Sequence, residues 1–415
     1  MPQKRFTRST AAILLSGAAT ALLAVTPIAS AAPTAPPPLT FLTPSGPVGN
    51  RDIFITPTGD TGTYANGPEI LSPSGNVVWF HPIPQGDGSG DFRTQRYDGK
   101  PVLTFWVGTG FGGLSSGTDY IYNDHYQQIA AVSAGNSLSA DGHEFLITPQ
   151  NTALILSYQE STANLTSIGG PADQTVINGI VQEIDIRTGR VLFQWNSADH
   201  VPYSDSEQAL PASASTPWDW FHINAVKLDT DGNLLIDSRA TWTLFKVNRH
   251  TGNIIWQLGG KDSSFKLEAA PGQSLNRDGD IFAWQHDPEA LGHGYYSVFD
   301  NESAGEFNLG VDASSEFPVS RVVKFKLDLR DHTATLLQSD NQPENLEASS
   351  QGNGQPLPGG GVFAGWGNLN YISEFDAAGN VVFDADFPAG VNSYRAYLLP
   401  WGPGQQRGQS DQHQL

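Results

Sequence analysis

The feature that most constrains this chain is a strand–turn–strand pattern met six times in order. An alternating apolar run enters a tight turn, and a second apolar run leaves it. The pattern is seen in Pro68 to Trp79, where Ser74-Gly75 makes the turn, and in Asp119 to Val132 without a glycine. It returns in Val181 to Trp195 and Leu244 to Trp256, both turning on Thr-Gly, then in Val322 to Leu337 without Gly and in Ile372 to Phe383. Period-two alternation around such turns is the signature of hairpins. A second set of short apolar runs lies between the copies, including 144–148, 153–156, 234–237 and 295–299. Two hairpins per unit give four strands per unit. Copies roughly fifty to eighty residues apart fall in the range of propeller blades with insertions. The expectation is an all-β, six-bladed β-propeller of four-stranded antiparallel blades. The 44 glycines and 28 prolines agree with a turn-rich, helix-poor chain.

The termini read differently. Lys4, Arg5 and Arg8 precede an apolar run from Ala11 to Val25, and Ala29-Ser30-Ala31 offers a small-residue cleavage site. Residues 1–31 are therefore expected to be a secretory signal peptide, so that the protein is secreted, with no membrane contact after cleavage. Residues 32–40, rich in Pro and Ala, read as a mobile linker, 41–403 as the single propeller domain, and 404–415 as a disordered tail. With 22 basic against 42 acidic residues, the formal charge is −20. That excess repels nucleic acid and anionic lipid. The chain contains no cysteine, which excludes disulfides, thiolate metal sites and cysteine nucleophiles.

Propeller geometry brings the ends of the innermost strands to one axis. His143, His222 and His286 each stand just before or at the start of such a strand, about one blade apart, and Arg239 follows another strand. The remaining histidines sit among polar turns and read as surface or structural, with His200 also structural. Three imidazoles can hold zinc, but no short His-x-x-x-His spacing supports that, and no metal or cofactor is expected. An arginine with several histidines suits a tetrahedral oxyanion instead, with the guanidinium donating to two oxygens and one imidazole free to attack.

These motifs resemble a known family. Among the matching stretches are His143-Glu144-Phe145-Leu146-Ile147-Thr148-Pro149, Asp219-Trp220-Phe221-His222-Ile223-Asn224, Ser238-Arg239, Gln285-His286-Asp287, Phe299-Asp300-Asn301, Gly365-Trp366-Gly367 and Ser393-Tyr394-Arg395-Ala396. They are similar to the bacterial arylsulfotransferases that do not use a nucleotide sulfate donor, in the branch shared by actinobacteria and fungi. The resemblance implies a propeller, an aryl sulfate donor and a phenolic acceptor as small-molecule partners, and a ping-pong exchange through a sulfohistidine on His286. His143, His222 and Arg239 fall on the remaining catalytic positions. Asn224, Trp220, Phe221 and Trp366 are expected to bind substrate, the aromatic ones by offering flat faces to a ring. Asp237, beside Ser238-Arg239, stands where it can partly neutralise the guanidinium. A quinone-cofactor dehydrogenase propeller and a non-catalytic binding propeller are the alternatives.

Overall fold

The computed structural model describes residues 33–59, 62–110, 114–303 and 319–402. The expected signal peptide and C-terminal tail lie outside the described residues. Those that are described form six sheets arranged as a β-propeller. Each of the six sequence repeats is the outer hairpin of one blade. In the third blade, for example, the order outward from the axis is Phe145–Ile147, Thr152–Ala163, Gln174–Asp185, Val191–Asn196. The fourth blade follows with Ile223–Leu228, Leu234–Ser238, Thr243–Val247 and Ile254–Leu258.

The turns explain why the pattern was uneven. Four outer hairpins place a glycine in the left-handed region, at Gly75, Gly189, Gly252 and Gly379. The two copies that lack glycine put Tyr126 (φ 58°) and His332 (φ 50°) there instead. The hairpin geometry is kept, at the strain a side chain meets in that region.

The ring is closed by both ends of the domain. The last strand, Val391–Leu399, is the innermost strand of the first blade, where it pairs with Asp52–Gly59. At the other end, Thr40–Phe41 adds an outer strand to the last blade by pairing with Val381–Asp386. Thr40 thus belongs to the sheet, and the Ala65 N–H donates to the Ala35 carbonyl. The fifth blade also departs from four strands. Lys266–Ala269 runs parallel to its outer strand Thr333–Asn341, covering an edge that would otherwise offer unpaired backbone groups.

Apolar side chains fill the spaces between blades. One core lies at each blade interface, such as Trp195, Trp220, Phe221, Val226 and Phe245 between the third and fourth. Another is Phe299, Val322, Trp366 and Phe375 between the fifth and sixth. The middle strands are buried on both faces, as in Leu234–Ser238, while outer strands alternate, as in Val191–Asn196. That leaves the inner strand ends free to carry polar chemistry.

Candidate active site

His143, His222 and His286 come together at the mouth of the axis. The ring centroid of His143 lies 5.4 Å from that of His222 and 6.5 Å from that of His286. Each ring is fixed through its Nδ1. Asp141 clasps His143: its Oδ1 accepts from the His143 backbone N–H at 3.0 Å and bonds the ring Nδ1 at 2.5 Å. Its other oxygen accepts from the Ser115 N–H and hydroxyl. Asp219 does the same for His222, taking the backbone N–H at 3.1 Å and the ring Nδ1 at 2.5 Å. The clasp holds His222 at φ 47°, a conformation that favours glycine. Burial pushes the Asp141 carboxyl up, but the His143 charge and the hydrogen bonds from His143 and Ser115 outweigh it and hold it low.

His286 is held differently. Its Nδ1 lies 2.7 Å from Asn301 Oδ1, and the Asn301 amide nitrogen donates to the carbonyls of Ala348 and Gln351. Those two donations orient the amide, so Oδ1 is an acceptor and Nδ1 carries the proton. Nε2 then keeps its lone pair. Burial, and after it the Arg239 charge, push the His286 pKa well down. An asparagine thus fixes the tautomer without adding the negative charge that would protonate the ring.

Arg239 is buried and lies over the Trp284 ring at 5.2 Å. One of its terminal nitrogens donates to the carbonyls of Ser303 (3.1 Å) and Ser349 (2.7 Å). Its Nε has no partner among the described residues. Burial lowers its pKa to about 10, so it stays cationic at neutral pH. The neighbouring Asp237 neutralises it less than its position suggested. Burial raises that carboxyl to about 8, and it accepts from the Gln285 side chain at 2.7 Å. Through this bond Asp237 ties the strand carrying Arg239 to the residue before His286.

The expected substrate-binding side chains fall elsewhere. Trp220 and Phe221 are fully buried in the core between the third and fourth blades, and Trp220 donates its N–H to Asn178. Trp366 is fully buried between the fifth and sixth, bonded to Ser373. Their faces are taken up by packing, because apolar rings beside an inner strand fill the blade interface before they reach the mouth. Asn224 is also buried. It donates to the Gln285 carbonyl at 2.7 Å, which joins the inner strands of the fourth and fifth blades. The aromatic rings that do flank the histidines are Tyr158, 6.0 Å from His222, and Tyr394, 5.7 Å from His143. Sequence reading missed both, along with Asp141, Asp219 and Asn301. The available signal was an Asp two or three residues before a His, in Asp141-Gly142-His143 and Asp219-Trp220-Phe221-His222.

A salt-bridge network closes the axis beside the site. Arg395 contacts Asp91 (3.1 Å), Glu144 (2.9 Å) and Asp287 (3.5 Å). Lys227 contacts Glu144 (3.2 Å), Asp287 (2.8 Å) and Glu289 (3.0 Å). Arg93 pairs with Asp91 and Glu144. Three members directly follow a site residue in the chain: Glu144 after His143, Asp287 after His286, Arg395 after Tyr394. In each pair one residue serves the site and the next serves the network; for Tyr394-Arg395, within Val391–Leu399, this follows from the opposite directions of successive side chains on a strand.

Three oriented imidazoles and one arginine thus gather at the inner ends of the blades of a six-bladed propeller, donors of a kind that suits a tetrahedral anion. A family model described as arylsulfotransferase (ASST) matches residues 93–388, and the chain belongs to that family. It is a transferase of the sulfotransferase class, acting on small aryl molecules. No curated protein matches the chain. A solved protein of unknown function from Bacteroides caccae is similar at 12% identity and a TM-score of 0.47, covering 84% of this chain and 98% of its own. The β-propeller domain of Cps50 (Swd1) from Myceliophteria thermophila is similar at 11% identity and 0.37, covering 74% and 88%. Likenesses this distant identify no activity.

Proposed function

We propose that this protein moves a sulfuryl group from a phenolic sulfate ester to a second phenol, with the ester itself as donor and His286 as the carrier. The observation that supports this most is the state of His286, whose buried, uncharged ring keeps Nδ1–H on Asn301 and Nε2 free. In the first half-reaction the Nε2 lone pair attacks sulfur. The bond from sulfur to the aryl oxygen breaks, and the phenolate leaves with the electron pair. The sulfated ring carries one positive and one negative charge, and its Nδ1–H still donates to Asn301.

In the second half-reaction the acceptor phenol gives up its proton, its oxygen attacks sulfur, and the bond from sulfur to Nε2 breaks. His222, partly open to solvent and clasped by Asp219, suits the proton transfers at the phenol oxygens. Arg239 and His143 suit the charge spread over the sulfuryl oxygens, as fixed donors do in phosphoryl transfer. Export is supported by the basic, apolar and small-residue pattern of residues 1–31. No helix among the described residues is long and apolar enough to cross a membrane.

Purified protein is mixed with 4-nitrophenyl sulfate, with and without phenol. A burst of nitrophenolate matching the enzyme concentration, then acceptor-dependent turnover, is expected. Mass spectrometry at neutral pH should find the sulfuryl group on the peptide containing His286. A burst that survives His286→Ala, or steady release without any acceptor, overturns the reading.

A further inference from the structure

Tyr158 belongs to two places. Its ring lies 6.3 and 6.0 Å from those of His143 and His222. It also lines a cleft of about 280 Å³ between the second and third blades. An apolar cavity of about 150 Å³ holds one benzene, so a phenol ring fits. Tyr158 and Glu160 lie two apart on Thr152–Ala163 and so share a face, and Ile177 pairs directly with Glu160 on the next strand. Ser115, Ser137 and Leu138 of the second blade supply the opposite wall. Ser115 also donates to Asp141, the clasp of His143, so the cleft and the catalytic cluster share a residue. At about 3.3 Å per residue, Glu160 stands roughly one ring-length beyond Tyr158. Its side chain is exposed, and its carboxylate has no ion pair or hydrogen bond among the described residues.

We propose that this cleft holds the ring of the accepting phenol, and that Glu160 selects phenols carrying a cationic group para to the hydroxyl. The apolar surfaces of Tyr158, Ile177 and Leu138 take the ring. The hydroxyl points inward to the histidines, and the para substituent reaches the unpaired carboxylate. A cation there gains a partner, and an anion meets a like charge. The role of the ring as acceptor rests on the reaction proposed above. Its binding does not.

The test titrates 4-(2-aminoethyl)phenol and 4-hydroxyphenylacetate into the full chain by calorimetry at low salt, and measures sulfation of each after loading with 4-nitrophenyl sulfate. The cationic phenol should bind about fivefold tighter, the scale of one exposed charge pair. Glu160→Gln should collapse most of that ratio, and the residue of it reports the acidic molecule as a whole. Ser139→Trp, at an exposed serine on the cleft wall, should weaken both phenols. A ratio unchanged in Glu160→Gln, no binding of either phenol, or no effect of Ser139→Trp overturns the proposal. Glu160-dependent binding with no sulfation of either phenol sinks the reaction and leaves the cleft standing.

Discussion

At the residue scale, the site separates three histidines by what holds their Nδ1. Carboxylates hold His143 and His222, and an amide holds His286. A carboxylate partner favours the imidazolium, and an amide oxygen orients the ring without adding charge. The carrier role proposed for His286 needs the second. Asn301→Asp should invert this for His286. The new carboxylate stabilises the protonated ring and loses both donations to the Ala348 and Gln351 carbonyls. The acidic limb of the proposed His286 sulfation should move up in pH, and below it the burst rate should fall about tenfold for each unit the ring pKa gains. Stopped-flow bursts across pH measure this. A profile identical to the parent's would show that the Nδ1 partner does not set the ring's charge.

At the element scale, three inner strands and their approaches do two jobs. In His143-Glu144, His286-Asp287 and Tyr394-Arg395 the first residue serves the site and the second the axial network. Lys227, on the fourth blade, touches Glu144 of the third and Asp287 and Glu289 of the fifth. These carboxylates outweigh burial and raise its pKa well above the ordinary lysine value. Removing one partner from a buried network leaves charges uncompensated, typically at about 3–5 kcal/mol. Lys227→Met should therefore lower stability by that amount in urea denaturation, with strand content retained by circular dichroism. A loss under about 1 kcal/mol would mean that water, not Lys227, balances the two buried carboxylates.

At the scale of the whole molecule, several buried carboxyls are raised by burial: Glu69 and Asp237 to about 8, Asp280 to about 7, Asp52 to about 6. Each keeps a proton in the folded chain that the unfolded chain releases near its ordinary value. Stability therefore falls as pH rises from about 4 toward 8. Self-repulsion within a chain of formal charge −20 acts in the same direction. Asp141, Glu144 and Glu183 are shifted downward, so their contribution is present above the unfolded value and is lost as pH falls below it. Thermal melting should peak near about pH 5 and decline toward pH 8. Both Glu69 oxygens lack a hydrogen-bond partner among the described residues. Glu69→Gln should accordingly flatten the decline, and an unchanged slope would place the raised group elsewhere.

Alternation and turn chemistry are local, so the blades could be read from the chain. The outer hairpins at 181–195 and 244–256 show why, since a strand with one wet face must alternate and a tight turn needs a left-handed residue. Counting blades then placed His143, His222 and His286 on one axis. What lies across that axis has no local signature. Trp220 stands two residues from His222 in sequence but is core in space, and Trp366 is core likewise. Asn301, fifteen residues on from His286, becomes its partner through the pairing of two strands, and Arg395 meets Asp91 only because the last strand completes the first blade. The sequence by itself determined the sheets, their number and the chemical types at their inner ends. Which charges face each other was decided only by closing the ring, because ion pairing depends on distances that the chain does not specify until its two ends meet.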